Sequence, residues 1–316
     1  MKALVMCGGG SKGAFAGGVA EFLIGERKKQ YDILIGTSTG SLMIPLLAIG
    51  EIEKLRKTYT TVRTRDIFSI SPFVTTKKNG VYRTSINHLG ILRMFLKGGK
   101  TFGDSGQLRK LISSVITRDD FRKMQLSNTE IVVAVSNLSC NTVEYKSMKN
   151  CTYEDFCDWI WISSNLVPFM SLVTKNGYEY ADGGIGVPVP IQEAIRRGAS
   201  EIDVILLSPK IVSNGEDTGN AFSLTWKLFN FMLHQIKDDS VTIAKLEGMQ
   251  QAVHLHFYYP PRILTEHPLV FDPKEMTAWW EEGFEYAKAN TPLDCPRRNG
   301  SLRSRWNALC SRWGWK

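Results

Sequence analysis

The chain has 316 residues, 43% apolar and 22% charged, with 39 lysines and arginines against 31 acids for a net charge of +8. That length and balance suit one or two folded domains and exclude a largely disordered chain. No run of about 18 apolar residues is long enough to span a bilayer, Met1 to Gly10 lacks the apolar stretch of a secretory signal, and six cysteines without a CxxC pair suit free thiols in a reducing cytosol.

In chain order, Ala3 to Met6 is a short apolar run that stops at Gly8-Gly9-Gly10, the pattern of a buried strand closing on a glycine turn. From Lys12 to Gly25, Phe15, Val19, Phe22 and Leu23 recur at helical spacing. Tyr31 to Ile35 is a second β-rich run, ending at Gly36-Thr37-Ser38-Thr39-Gly40. Ser41 to Ile49 follows as an apolar helix, with Gly50 as its C-cap and Pro45 as a source of a local kink. Two strand–turn–helix units in succession predict parallel strands, right-handed crossovers, and functional loops at the C-terminal ends of the strands.

The stretch from about Thr60 to Gly106 is basic and rich in Gly, Ser and Thr. It carries one convincing helix, near Ile86 to Leu96, and reads as an insertion over the top of the sheet. Further on, strands are expected at Glu130 to Val135, Tyr178 to Ala181, Ile202 to Leu207 and Val253 to Tyr259. Helices are expected at Thr152 to Ile162, Pro190 to Arg197, Phe222 to Ile236 and Pro273 to Ala289.

Three glycine turns at strand ends carry the chemistry. In Gly8-Gly9-Gly10-Ser11-Lys12-Gly13 the backbone can curl so that several amides converge, as an anion or oxyanion requires. The GxGxxG spacing of Gly8, Gly10 and Gly13 also raises a dinucleotide site, but Asp32 opens the second strand instead of closing it, where a ribose-binding acid belongs. The turn Gly36 to Gly40 fits the G-x-S-x-G nucleophile elbow, with Ser38 between a strand and an apolar helix. A serine needs a base. The five histidines (His88, His234, His254, His256 and His267) stand outside the glycine turns and suit structural or surface roles. The third turn, Asp182-Gly183-Gly184, offers a carboxylate. Its ordinary pKa of about 3.9 makes it a poor base, but burial would raise its basicity.

These three turns in this order resemble the patatin-like phospholipases. The block Ser163-Ser164-Asn165-Leu166-Val167-Pro168-Phe169 is similar to that family's serine-rich, proline-containing segment, and Val187-Pro188-Val189-Pro190 with Ala194 to Ala199 resembles its bacterial branch. The resemblance spans residues 2 to about 290. It implies a three-layer α/β/α sandwich with a mostly parallel central sheet. It also implies a Ser–Asp dyad of Ser38 and Asp182, an oxyanion hole at Gly8, Gly9 and Gly10, lipid acyl esters as substrates, and no metal or other cofactor. Ser11, Lys12, Gly13, Gly36, Gly40, Pro168, Gly183 and Gly184 support these motifs. Two departures stand out: Pro45 inside the helix after the elbow, and the bulkier Asn165-Leu166-Val167, which would narrow an acyl channel.

The positive charge is clustered: six of the eight excess charges fall between Arg297 and Lys316, where there is no acid. Leu302, Trp306, Leu309 and Trp313 lie on one helical face, with Arg303, Arg305 and Arg312 away from it. Such a tail suits an anionic membrane surface, with Arg303, Arg305, Trp306 and Trp313 as contacts. The expectation is therefore a catalytic domain over 1–290 with an insertion at about 60–106 and a basic tail over 291–316. The protein would be a cytoplasmic, peripherally membrane-associated phospholipase A or lysophospholipase, with no nucleic-acid partner. Acyl transfer by the same dyad, or a non-catalytic membrane-binding protein that kept the fold, are the alternatives.

Overall fold

A computed structural model describes residues 1–78, 81–210 and 221–291. Strand β1 (Lys2–Met6) leads through a single 3-10 turn into helix α1 (Gly13–Ala20), which continues as a π-helical segment to Glu26. Strand β2 (Ile33–Thr37) leads through Ser38 into α2 (Thr39–Ala48), so the strand–turn–helix unit occurs twice, as its sequence pattern predicts. Helix α2 runs through Pro45. Next come α3 (Ile52–Thr61), the short α4 (Thr64–Ile67), strands β3 (Phe73–Lys78) and β4 (Val81–Ile86), and α5 (His88–Leu96). Then follow α6 (Gly106–Val115), α7 (Arg118–Leu126), β5 (Glu130–Asn137), β6 (Thr142–Ser147) and α8 (Tyr153–Ser163). The chain continues with β7 (Val173–Lys175), β8 (Tyr178–Asp182), α9 (Ile191–Arg196), β9 (Glu201–Ile205), α10 (Ala221–Gln251), β10 (His254–Tyr258) and α11 (Pro273–Asn290).

Strands β10, β9, β1, β2 and β5 run parallel in that order. Their central stretches, Ala3–Met6, Ile33–Ile35 and Ile131–Val135, are buried throughout, which explains why they read as unbroken apolar runs: both sheet faces are covered by helices. The result is a three-layer α/β/α sandwich around a mostly parallel, mixed sheet. The antiparallel members are β6, β7 and β8.

The two edges of β5 decide the layout. One edge carries β6 along Val132 to Asn137. The other carries β2 as far as the rung where Thr37 faces Ala134, and then β8, whose Asp182 faces Val135 on the next rung. Strands β2 and β8 therefore share one lane of the sheet and meet with their C-terminal ends. Within the expected mostly parallel sheet, β8 is one of the antiparallel members: it comes down the sheet toward β2 instead of running up beside it.

On the flank, α1 packs against α11. A Cβ at Gly17 would lie 2.1 Å from Trp280 Cζ3, and one at Gly18 would lie 1.9 Å from the Trp280 carbonyl oxygen. The glycines thus let the two helix backbones close over a fully buried indole, whose Nε1–H donates to Glu21. The stretch 60–106 differs from its sequence reading in holding an antiparallel hairpin, β3–β4, beside the expected helix. Helix α10 is likewise longer than its apolar pattern predicted, because polar residues past Ile236 continue it.

Candidate active site

The elbow builds the site outward from Ser38. Its backbone sits at φ 53°, ψ −122°, a conformation that a side chain strains to hold. Close packing holds it there: at Gly40 a Cβ would lie 2.2 Å from the Met6 carbonyl oxygen, so only glycine lets α2 start this close to β1. Gly36 lies against the same Gly40 backbone, 2.5 Å from where its own Cβ would stand.

The Ser38 N–H donates to Ser163 Oγ at 3.0 Å, and that hydroxyl donates onward to the Ala134 carbonyl at 2.7 Å. The Ser38 carbonyl accepts from Ser41 Oγ at 2.5 Å and Ser164 Oγ at 3.2 Å. The Asp182 N–H donates to the Asn165 carbonyl at 2.8 Å, and the Asn165 side chain is fixed in turn by Ser105 and by the Trp161 carbonyl. The consecutive residues Ser163, Ser164 and Asn165 thus brace the backbones of both Ser38 and Asp182. Sequence reasoning singled out Pro168 in that block. Pro168 follows a cis peptide bond, and its carbonyl accepts from Phe102 N–H at 2.8 Å, away from both residues. The legible signal for the braces was a run of hydroxyl and amide side chains ending an apolar helix that must be buried.

Asp182 is 2% exposed. Burial pushes its carboxyl up to about 7, while hydrogen bonding from Ser38 and from the Gly184 amide pulls the other way. The Gly184 N–H lies 2.7 Å from Oδ1, and Gly183 is pressed against the Ala134 carbonyl of β5. A carboxyl at this value is half ionised near neutrality, so it can both accept and return a proton there.

The first glycine turn closes over the serine from the β1 side. A Cβ at Gly8 would stand 2.7 Å from Ser38 Cβ. Gly10 takes φ 58°, and a Cβ there would meet the Pro268 carbonyl at 2.1 Å, so this turn too requires glycine. The amides just after it are spoken for: Ser11 N–H donates to Pro268 and Lys12 N–H to Gly9. Among the described residues, the amides of Gly8, Gly9 and Gly10 have no acceptor. Gly13 packs on Thr39, whose hydroxyl donates to the Gly10 carbonyl at 3.0 Å. The Ser11 hydroxyl is buried and, among the described residues, unpartnered.

Ser38, Asp182 and Gly8 to Gly10 all line one cavity of about 200 Å³. Its walls are mainly apolar: Leu42 and Leu46 of α2, Leu55 of α3, Leu108 and Ile112 of α6, and Leu166 from the bulky block. Lys12 also lines it, partly buried, with its pKa lowered chiefly by desolvation. Reading along the chain did not anticipate His234 and Lys237 of α10, which reach the same cavity. Arg303, Arg305, Trp306 and Trp313 lie outside the described residues. Among the described residues no helix is long and apolar enough to cross a membrane.

The sequence profile of the patatin-like phospholipase family matches residues 4–195. Among solved structures, the chain is similar in fold to VipD from Legionella pneumophila, with a TM-score of 0.50 and 12% identity. The superposition covers 91% of this chain, and this chain spans 66% of that one. A search of curated proteins finds no match. The ordered glycine turns, the sandwich around a mostly parallel sheet, and a profile match over more than half the length together place this chain in the patatin-like phospholipase family, a family of lipid hydrolases.

Proposed function

We propose that this protein is a serine acyl-ester hydrolase of the phospholipase A or lysophospholipase type, with Ser38 as nucleophile and Asp182 as base. The observation that carries the reading is the head-on meeting of β2 and β8. It brings a strained serine beside a buried carboxyl with a pKa of about 7, at the wall of an apolar cavity.

In this reading the Ser38 hydroxyl attacks the ester carbonyl and Asp182 takes its proton. The uncommitted amides of Gly8, Gly9 and Gly10 receive the oxyanion, each donor contributing about 3 kcal/mol of transition-state stabilisation. The ester C–O bond breaks, the proton on Asp182 passes to the leaving alkoxide, and an acyl-Ser38 remains. Water then gives a proton to Asp182 and attacks the acyl carbon. Fatty acid leaves as the proton returns to Ser38. The apolar walls fit an acyl chain, and water kept out of them preserves the low polarity that raises Asp182.

The catalytic unit is taken as 1–290 and the basic tail as an anchor on an anionic membrane surface, the support for the latter being its tryptophan face and its charge. The direct test is fatty-acid release from phospholipid, read by mass spectrometry, for the wild type, Ser38→Ala and Asp182→Asn. Both variants are expected to lose at least a thousandfold in kcat. Unchanged turnover in both would sink the mechanism.

A further inference from the structure

The cavity is chemically two-ended. Away from its apolar walls, Lys12, Ser208, His234 and Lys237 line it together. Their location follows from the sheet. Met6 of β1 faces Ile205 of β9, so the chain segments that leave these two strands run side by side. They carry Gly8 to Lys12 on one strand and Leu207 and Ser208 on the other. A Cβ at Gly9 would stand 2.8 Å from Leu207 Cδ1 and 3.3 Å from Lys12 Cε. Helix α10 adds His234 and Lys237 from the side.

The hydrogen bonding within the cluster leaves mostly donors. Lys237 Nζ donates to Ser208 Oγ at 2.8 Å and lies 3.3 Å from His234 Nδ1. An ammonium has only protons to offer, so His234 Nδ1 is the acceptor and the ring's proton sits on Nε2. Burial and the neighbouring lysines hold His234 below its ordinary pKa, which keeps this neutral tautomer. A ligand therefore meets the Ser208 O–H, the His234 Nε2–H and the positive charges of Lys237 and Lys12. Opposing charge is sparse. Asp238 lies 3.1 Å from Lys237 but its side chain is 65% exposed, and Glu266 acts on Lys12 only as a minor counter-charge. Asp182 lies in the lane of β2 and β8, while the amines gather at the ends of β1 and β9.

We propose that Lys12, Ser208, His234 and Lys237 form a subsite for the phosphodiester of a phospholipid headgroup. The ester lies at Ser38 between this subsite and the apolar walls. A cavity with one cationic, donor-rich end and one apolar end matches a molecule built the same way, and gives a phosphate-bearing acyl ester preference over a neutral glyceride. What is cleaved rests on the hydrolase reading above; what is bound does not.

The test measures binding to the Ser38→Ala protein by calorimetry, using dihexanoylphosphatidylcholine below its micelle concentration, dihexanoylglycerol, and inorganic phosphate. The phospholipid is expected to bind at least tenfold more tightly than the diglyceride. Adding Lys237→Gln should remove most of that ratio, and Lys237→Arg should keep it. Equal binding of the two lipids, or a ratio that Lys237→Gln leaves intact, overturns the subsite. So does inorganic phosphate that binds as tightly as the phospholipid, which would mark a free-anion site. If the binding pattern holds but the wild type releases no fatty acid, the subsite stands and the hydrolase reading falls.

Discussion

Ser38 and Asp182 meet because their strands run head-on along one edge of β5, Thr37 facing Ala134 and Asp182 facing Val135. In a sheet, a slip of one residue turns every side chain to the other face. The meeting therefore depends on the register of β8, a short strand anchored to β5 on one edge and to β7 on the other. Asn165 fixes that register from outside the sheet by accepting the Asp182 N–H.

The first prediction concerns pH. A base with a pKa of about 7 is competent only when ionised. On a soluble, monomeric ester, kcat/KM should therefore rise tenfold per pH unit on the acid side and level off above about pH 7. An acid limb centred near pH 4, the ordinary carboxyl value, would show that burial does not raise Asp182 in the working enzyme.

The same burial has a stability cost whose sign is fixed. The folded carboxyl, at about 7, holds its proton in a range where the unfolded one, near 3.9, has lost it. Between about pH 4 and pH 7 the native state binds more protons, so its stability falls as pH rises through that window. The upper bound is roughly 4 kcal/mol at 1.36 kcal/mol per unit. Asp182→Asn should therefore gain stability relative to the wild type at pH 8, and the gain should shrink by pH 4.5. Urea unfolding at the two pH values measures it, and a pH-independent difference would contradict it.

The braces make a third prediction. Ser163→Ala removes the acceptor for Ser38 N–H and the donor to Ala134. Leaving buried partners unsatisfied costs about 1–3 kcal/mol. Because Ser38 holds a strained backbone, part of that loss should appear in catalysis: kcat is expected to fall about ten- to hundredfold with KM changed much less. A stability loss with kcat unchanged would make Ser163 a purely structural residue.

What the sequence revealed and what it hid divide along one line. The turns at Gly8, Ser38 and Asp182 were legible because each is local: a strand's apolar run, a glycine and a helix start within a few residues. The antiparallel placement of β8 was not, since a five-residue strand pairs the same way locally in either direction and its partner β5 lies some forty residues earlier. The hairpin β3–β4 was hidden by its mixed polar composition, which resembles a loop. His234 and Lys237 were missed for a third reason. They are one turn apart on a long helix whose pattern shows only which residues share a face, and the cavity they reach is shared with segments as distant as Gly8 to Lys12, more than 200 residues earlier. Ser163 to Asn165 resemble a family block in sequence, but their bonds to Ser38 and Asp182 exist only once α8 packs behind α2.

The last prediction takes the charge imbalance. Six basic residues between Arg297 and Lys316 carry most of the net charge, and Trp306 and Trp313 share a face with Leu302 and Leu309 in a helical reading. Near an anionic surface each basic residue contributes about 1 kcal/mol, screened within a Debye length. Helix α11 ends at Asn290, so a chain stopped there keeps every described helix and strand. It should lose most sedimentation with phosphatidylserine-containing vesicles while still cleaving a short soluble ester. The full chain should bind such vesicles less well as salt rises. Vesicle binding that survives the truncation, or that ignores salt, would move the membrane contact to the folded body, where charge is nearly balanced and apolar insertion would have to do the work.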